Sequence, residues 1–144
     1  MIKSFLALFE ERLSQHADEQ HTLELASAAL MFEVVRADRT LEPAEETQVK
    51  TLLSEQFKLT EEELNILFAQ GQEHAEEAVD LVQFTRVLNQ HYGLEQRANF
   101  IQQLWSIAYS DGHIDMHEEH AIRRINDLLH VPHSLFVQAK LKVV

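Results

Sequence analysis

Two short acidic segments hold the residues whose types and spacing could do chemistry: Asp111, Asp115 and Glu118 in one, Asp38, Glu42 and Glu45 in the other. Carboxylates are hard oxygen donors. An Asp ending one helix and a Glu in the first turn of the next can converge across the bend on a divalent cation, with a carbonyl and waters completing the shell. The same acids have a structural use. Asp115 and Glu118 stand where an N-cap and a first-turn charge belong, contributions of about 0.5–2 and 0.3–1 kcal/mol. From the residues alone both uses stay open.

Asp111, Gly112, Ile114, Asp115 and Glu118 keep the spacing of the second half of an EF-hand loop. The first half would fall on Ile107 and Tyr109 within an apolar helix, too few oxygens for the about six to eight that calcium takes. His113, His117 and His120 crowd the same segment, the last two at helical i,i+3 spacing where zinc or nickel could chelate. His117-Glu118-Glu119-His120 is one residue too short for the His-Glu-x-x-His protease motif. The sequence has no Gly-rich phosphate loop, Gly-x-Ser-x-Gly elbow or dinucleotide fingerprint, and nothing sets two carboxylates across a cleft. No enzyme is expected. A small metal-dependent hydrolase is the alternative, and a metal-free protein-interaction domain a further one.

Composition narrows the partners. Twenty-four Asp and Glu against 12 Lys and Arg give a formal charge of −12, which repels nucleic acid and suits cations or a basic protein face. Without cysteine there is no disulfide and no thiolate ligand, so the cytoplasm is the expected compartment. The apolar start of the chain is cut short by Glu10, Glu11 and Arg12, too early for a signal core or a span. Membrane association is expected to be indirect at most, and a homo-oligomer stays open.

The elements that position these residues read as helices throughout. Three Gly and two Pro in 144 residues disfavour a turn-rich β fold, and no stretch alternates with period two for long. An amphipathic helix is expected over 2–16, then a mostly buried one from about Leu23 that stops near Asp38. A third starts at Pro43, and a fourth at the Thr60-x-x-Glu63 capping box. The fifth runs from Asp80 towards Gly93, the sixth from Leu94 to the break at Gly112, the seventh from about Met116 and the last from Pro132. Trp105, sharing a face with Phe100, Ile101, Leu104 and Ala108, belongs to the core.

At an offset of 73 (38 to 111), Leu41 meets Ile114, Glu42 meets Asp115, Glu45 meets Glu118, Glu46 meets Glu119 and Val49 meets Ile122. With one residue removed, Phe57 to Thr60 falls on Leu129 to Pro132. A duplicated three-helix unit over 22–75 and 94–141 is the simplest account. The expectation is an all-α fold: one bundle of seven to eight helices over 1–144 with an internal pseudo-twofold repeat.

The pattern of a buried helix running into Asp-Gly-x-Ile-Asp-x-x-Glu at Asp111 to Glu118, echoed from Asp38 to Glu45 without the glycine, resembles the TerB-like family. That family takes in the tellurite-resistance protein and the N-terminal region of DnaJ-like co-chaperones. The resemblance covers roughly residues 22–140. It implies a helical domain with acidic inter-helix turns that binds metal and works in stress-associated complexes without turning over a substrate. On matching positions the implied ligands are Asp111, Asp115 and Glu118, and Asp38, Glu42 and Glu45.

Overall fold

Between Leu23 and Val35 the sequence leaves almost no polar face, and a helix apolar all round has to be enclosed on every side. This stretch forms most of α2 (Glu19–Ala37), the helix around which the computed structural model is arranged. Leu23, Leu25, Ala26, Ala28, Ala29, Leu30, Met31, Phe32, Val34 and Val35 are all buried. The helices α1 (Phe5–Ser14), α5 (Val82–His91), α6 (Leu94–Ala108) and α7 (Met116–Leu128) pack against it. The structure describes residues 5–14, 19–37, 43–66, 81–110 and 112–144.

Each enclosing helix brings an apolar face. From α1, Leu8 and Phe9 are buried, and Phe9 meets Phe84 of α5 edge-on at 5.0 Å between ring centroids. From α6 come Phe100, Ile101, Leu104, Trp105 and Ala108, and from α7 Ile122 and Ile125. A last helix, α8 (His133–Leu141), lays Phe136 and Ala139 on α6, with Trp105 and Phe136 5.4 Å apart. Two cations roof this aromatic pair: Lys140 lies 5.2 Å above the Trp105 ring and Arg123 5.3 Å above Phe136. The remaining helices are α3 (Pro43–Gln56), which starts on the expected proline, and α4 over residues 61–66. Among the described residues there are eight helices and no strand, as the sequence led us to expect.

The helix starts keep the expected spacing. α3 and α7 begin 73 residues apart (116 − 43), and α4 and α8 begin 72 apart (133 − 61). Superposition of 22–75 and 94–141 as equivalent units stays a proposal, because residues 67–75 lie outside those described. Asp80, expected as a cap, is also outside them; Leu81 precedes the first turn of α5.

The Thr60–Glu63 box forms as the sequence indicates. The Glu63 N–H donates to Thr60 Oγ1 at 3.1 Å, and the Thr60 N–H donates to Glu63 Oε1 at 2.9 Å. Its third member comes from far away in the chain. His21 Nε2, at the start of α2, donates to both Glu63 oxygens, at 2.8 and 3.1 Å, and Glu63 is fully buried. Burial by itself would raise this carboxyl. The hydrogen bonds from the Thr60 N–H and from His21, with the electrostatic pull of His21, outweigh burial and hold it below its ordinary value of 4.5.

The sixth to eighth helices meet at a corner closed by long-range caps. The last carbonyls of a helix lack intrahelical partners. Here Asn89 Nδ2 of α5 donates to the Leu128 carbonyl at 3.1 Å and the Arg97 guanidinium of α6 to that of Leu129, a cation placed where the helix dipole favours it. His130 adopts φ 57 in the turn that follows.

Two outcomes follow for stability. Trp105→Ala should cost about 3–5 kcal/mol in urea unfolding followed by circular dichroism. Trp105→Phe should cost markedly less, because the buried indole N–H it discards has no acceptor. For Glu63, a folded value below the unfolded one means that its stabilisation is fully present above pH 4.5 and is lost as pH falls through the lower folded value. Glu63→Gln keeps the box but not the charge. It should lose about 1–3 kcal/mol at neutral pH and show a shallower fall in stability below pH 4.5; an unchanged acid limb would contradict this assignment.

Candidate functional site: the acidic turn between α6 and α7

The turn is built by backbone before any side chain acts. α6 runs out at Ala108, and the Tyr109 N–H still reaches the Trp105 carbonyl at 2.9 Å. The Gly112 N–H then bonds the Tyr109 carbonyl at 2.9 Å, and Gly112 takes φ 85. A Cβ there would meet nothing within 4 Å, so the backbone angle, not space, calls for glycine. From this bend the chain turns extended at Asp115 (φ −70, ψ 145), the N-cap of α7.

One carboxylate beside the turn is at work as a cap. Glu118, in the first turn of α7, is buried, and its Oε1 accepts the Asp115 N–H at 3.1 Å, the backward half of a capping box. Glu119 faces the other way, towards Lys140 Nζ at 3.3 Å and Arg123 at 3.7 Å. His113, His117 and His120 are exposed. Among the described residues no three His, Asp or Glu side chains are placed to hold a metal ion.

The other predicted ligands cannot be placed in the same way. Asp111, Asp38 and Glu42 lie outside the described residues. Glu45 is in the first turn of α3, and its side chain is outside them. Of the six, the structure brings together Asp115 and Glu118.

Sequence reading missed the distant partners of two inward-facing acids. One is Glu63 with His21. The other is Glu33 on α2, whose Oε2 lies 3.1 Å from Arg36 Nε. Burial raises the Glu33 carboxyl above its ordinary value, against the pull of Arg36 and, from α7, Arg124. The i,i+3 spacing of Glu33 and Arg36 was a local signal. His21 and Arg124 had none, since only the packing of helices brings them near.

No curated protein and no solved structure matches the chain. The family model described as tellurite resistance protein TerB matches residues 24–141, from the first turns of α2 through both acidic turns to the end of α8. By that match, over most of its length, the chain belongs to the TerB family.

Proposed function

We propose that the chain is a binding or scaffolding module that offers an acidic surface to a basic face of a protein partner, in the cytoplasm and in the context of a stress response. What supports this reading is the division of work among its carboxylates. Glu63, Glu118 and Glu33 are drawn inward to caps and ion pairs, while Glu55, Glu61 and Glu62 stand exposed around the turn from α3 to α4. Glu61 and Glu62 adjoin the clamped Glu63, so their backbone is held by the His21 contact. Carboxylates fixed on such a helix start steer and retain a basic partner. A role in tellurite resistance would run through that partner.

A second reading is favoured by the left-handed Gly112. The bend it allows suits a divalent cation held by Asp111, Asp115 and Glu118, with Asp38, Glu42 and Glu45 forming a weaker first-turn site beside Arg39. Capping does not preclude this, since an ionised carboxylate has about four lone-pair sites. The cation would order the turn for the partner. Nothing in the geometry recommends the hydrolase alternative over these two.

Both readings can be tested on the whole protein. A labelled lysine-rich peptide should bind the wild type, weaken as salt rises, and lose about tenfold in affinity with Glu61→Lys plus Glu62→Lys; binding indifferent to both changes would reject the acidic surface. For the cation, calorimetric titration of calcium, magnesium, manganese and zinc should show binding abolished by Asp111→Asn plus Glu118→Gln, in which glutamine preserves the cap. Binding should survive Asp38→Asn plus Glu45→Gln. Equal loss in both double mutants would mean one joint site, and no binding to the wild type would leave capping as the sole role.

A further inference from the structure

The first two turns of α7 sort their donors by hardness. Glu118 is buried and accepts the Asp115 N–H, and Glu119 turns to Lys140 and Arg123. With these oxygens drawn to protein partners, the outer side of the helix start carries Met116, His117 and His120, all exposed. Met116 is 73% exposed, more than any other large apolar side chain among the described residues.

Helical spacing gathers these three. His120 stands four residues after Met116 and three after His117, and side chains at both spacings are neighbours on a helix, with Cβ atoms about 5–6 Å apart. His120 is the middle member, with a thioether on one side and an imidazole on the other. A single exposed methionine is ordinary, but a thioether one helical turn from an imidazole, with a second imidazole adjoining, makes a donor set. Zinc takes about four ligands, and among the described residues no three His, Asp or Glu side chains are placed to hold an ion. The sulfur decides the metal. Thioether with imidazole suits Cu(I), a closed-shell ion satisfied by fewer and softer ligands. The sequence has no cysteine, so no thiolate competes with the thioether for it.

We propose that Met116, His117 and His120 form a Cu(I) site on the outer face of α7. The positive end of the helix dipole opposes a cation there. That opposition is least for a singly charged ion, and Asp115 and Glu118 at the same helix start, with the net charge of −12, offset it. The ion is captured by neutral donors and keeps its oxidation state throughout. None of these ligands belongs to the carboxylate set of the bend, and the proposal stands whether or not the bend holds a divalent cation.

The test uses the full, untagged chain under anaerobic, reducing conditions, competing for Cu(I) with its coloured bicinchoninate complex. The wild type should withdraw about one equivalent of Cu(I). Met116→Leu should weaken this about tenfold while leaving zinc binding, read by calorimetry, unaltered, and His117→Gln plus His120→Gln should abolish the withdrawal. X-ray absorption of the copper-loaded wild type should show a sulfur neighbour that Met116→Leu lacks. His133→Gln, at an exposed histidine on α8, should have no effect. The three positions are on the surface, so every variant should keep the wild-type thermal melt, which circular dichroism checks. The proposal is overturned if the wild type withdraws no Cu(I), or if Met116→Leu competes as well as the wild type. It is also overturned if His133→Gln weakens binding as much as the paired change, since surface histidines would then chelate indiscriminately, or if Met116→Leu weakens zinc and Cu(I) alike, since the loss would then be of local structure and not of the thioether.

Discussion

A helix with no polar face cannot stop at one neighbour. α2 is nearly such a helix, and the fold is largely the solution to covering it: α1, α5, α6 and α7 all pack against it. Each fully buried Leu, Met or Phe there contributes about 1.5–3 kcal/mol relative to exposure. The few polar side chains of α2 are placed where it meets the rest of the chain. His21 grips Glu63 at the start of α4, Glu24 accepts the Lys58 N–H at 2.6 Å, and Glu33 holds Arg36 and faces Arg124 of α7. The apolar residues bring the neighbours in, and these polar ones fix their register.

The same economy appears at helix starts. Three helices open with a residue three positions in whose side chain reaches back to the N-terminal cap: Glu63 to Thr60, Gln96 to Gly93 at 3.0 Å, and Glu118 to Asp115. In an acidic protein this device has a cost, because each inward carboxylate must be desolvated. Glu63 offsets it with His21 and ends below its ordinary pKa; Glu33, with Arg36 beside it, does not and ends above. Burial is the largest single influence on both carboxylates; at Glu63 the donated hydrogen bonds and His21 together outweigh it, and at Glu33 its cationic neighbours do not.

Helix order and starts were legible because local chemistry marks them: Pro43, the Thr60–Glu63 box, Gly112, Met116 after Asp115, and Pro132. The burial of Trp105 was legible from its stripe, and α1, expected over 2–16, runs Phe5–Ser14. What the sequence could not show is long-range. His21 stands 42 residues from Glu63, and the caps that Asn89 and Arg97 supply to the end of α7 come from two other helices, with no periodicity to announce them. At the acidic turn, sequence could list oxygens but not say which way each pointed, and for Glu118 the Asp115 N–H supplies that answer.

The basic end of the chain is also part of the packing. Lys140 lies over Trp105 and bonds Glu119, while Arg123 lies over Phe136 and approaches the same Glu119. One carboxylate thus positions both cations over the aromatic pair that joins α6 to α8. A cation near a ring face is attracted by the ring quadrupole, more strongly where water is excluded, so charge and core meet at this point.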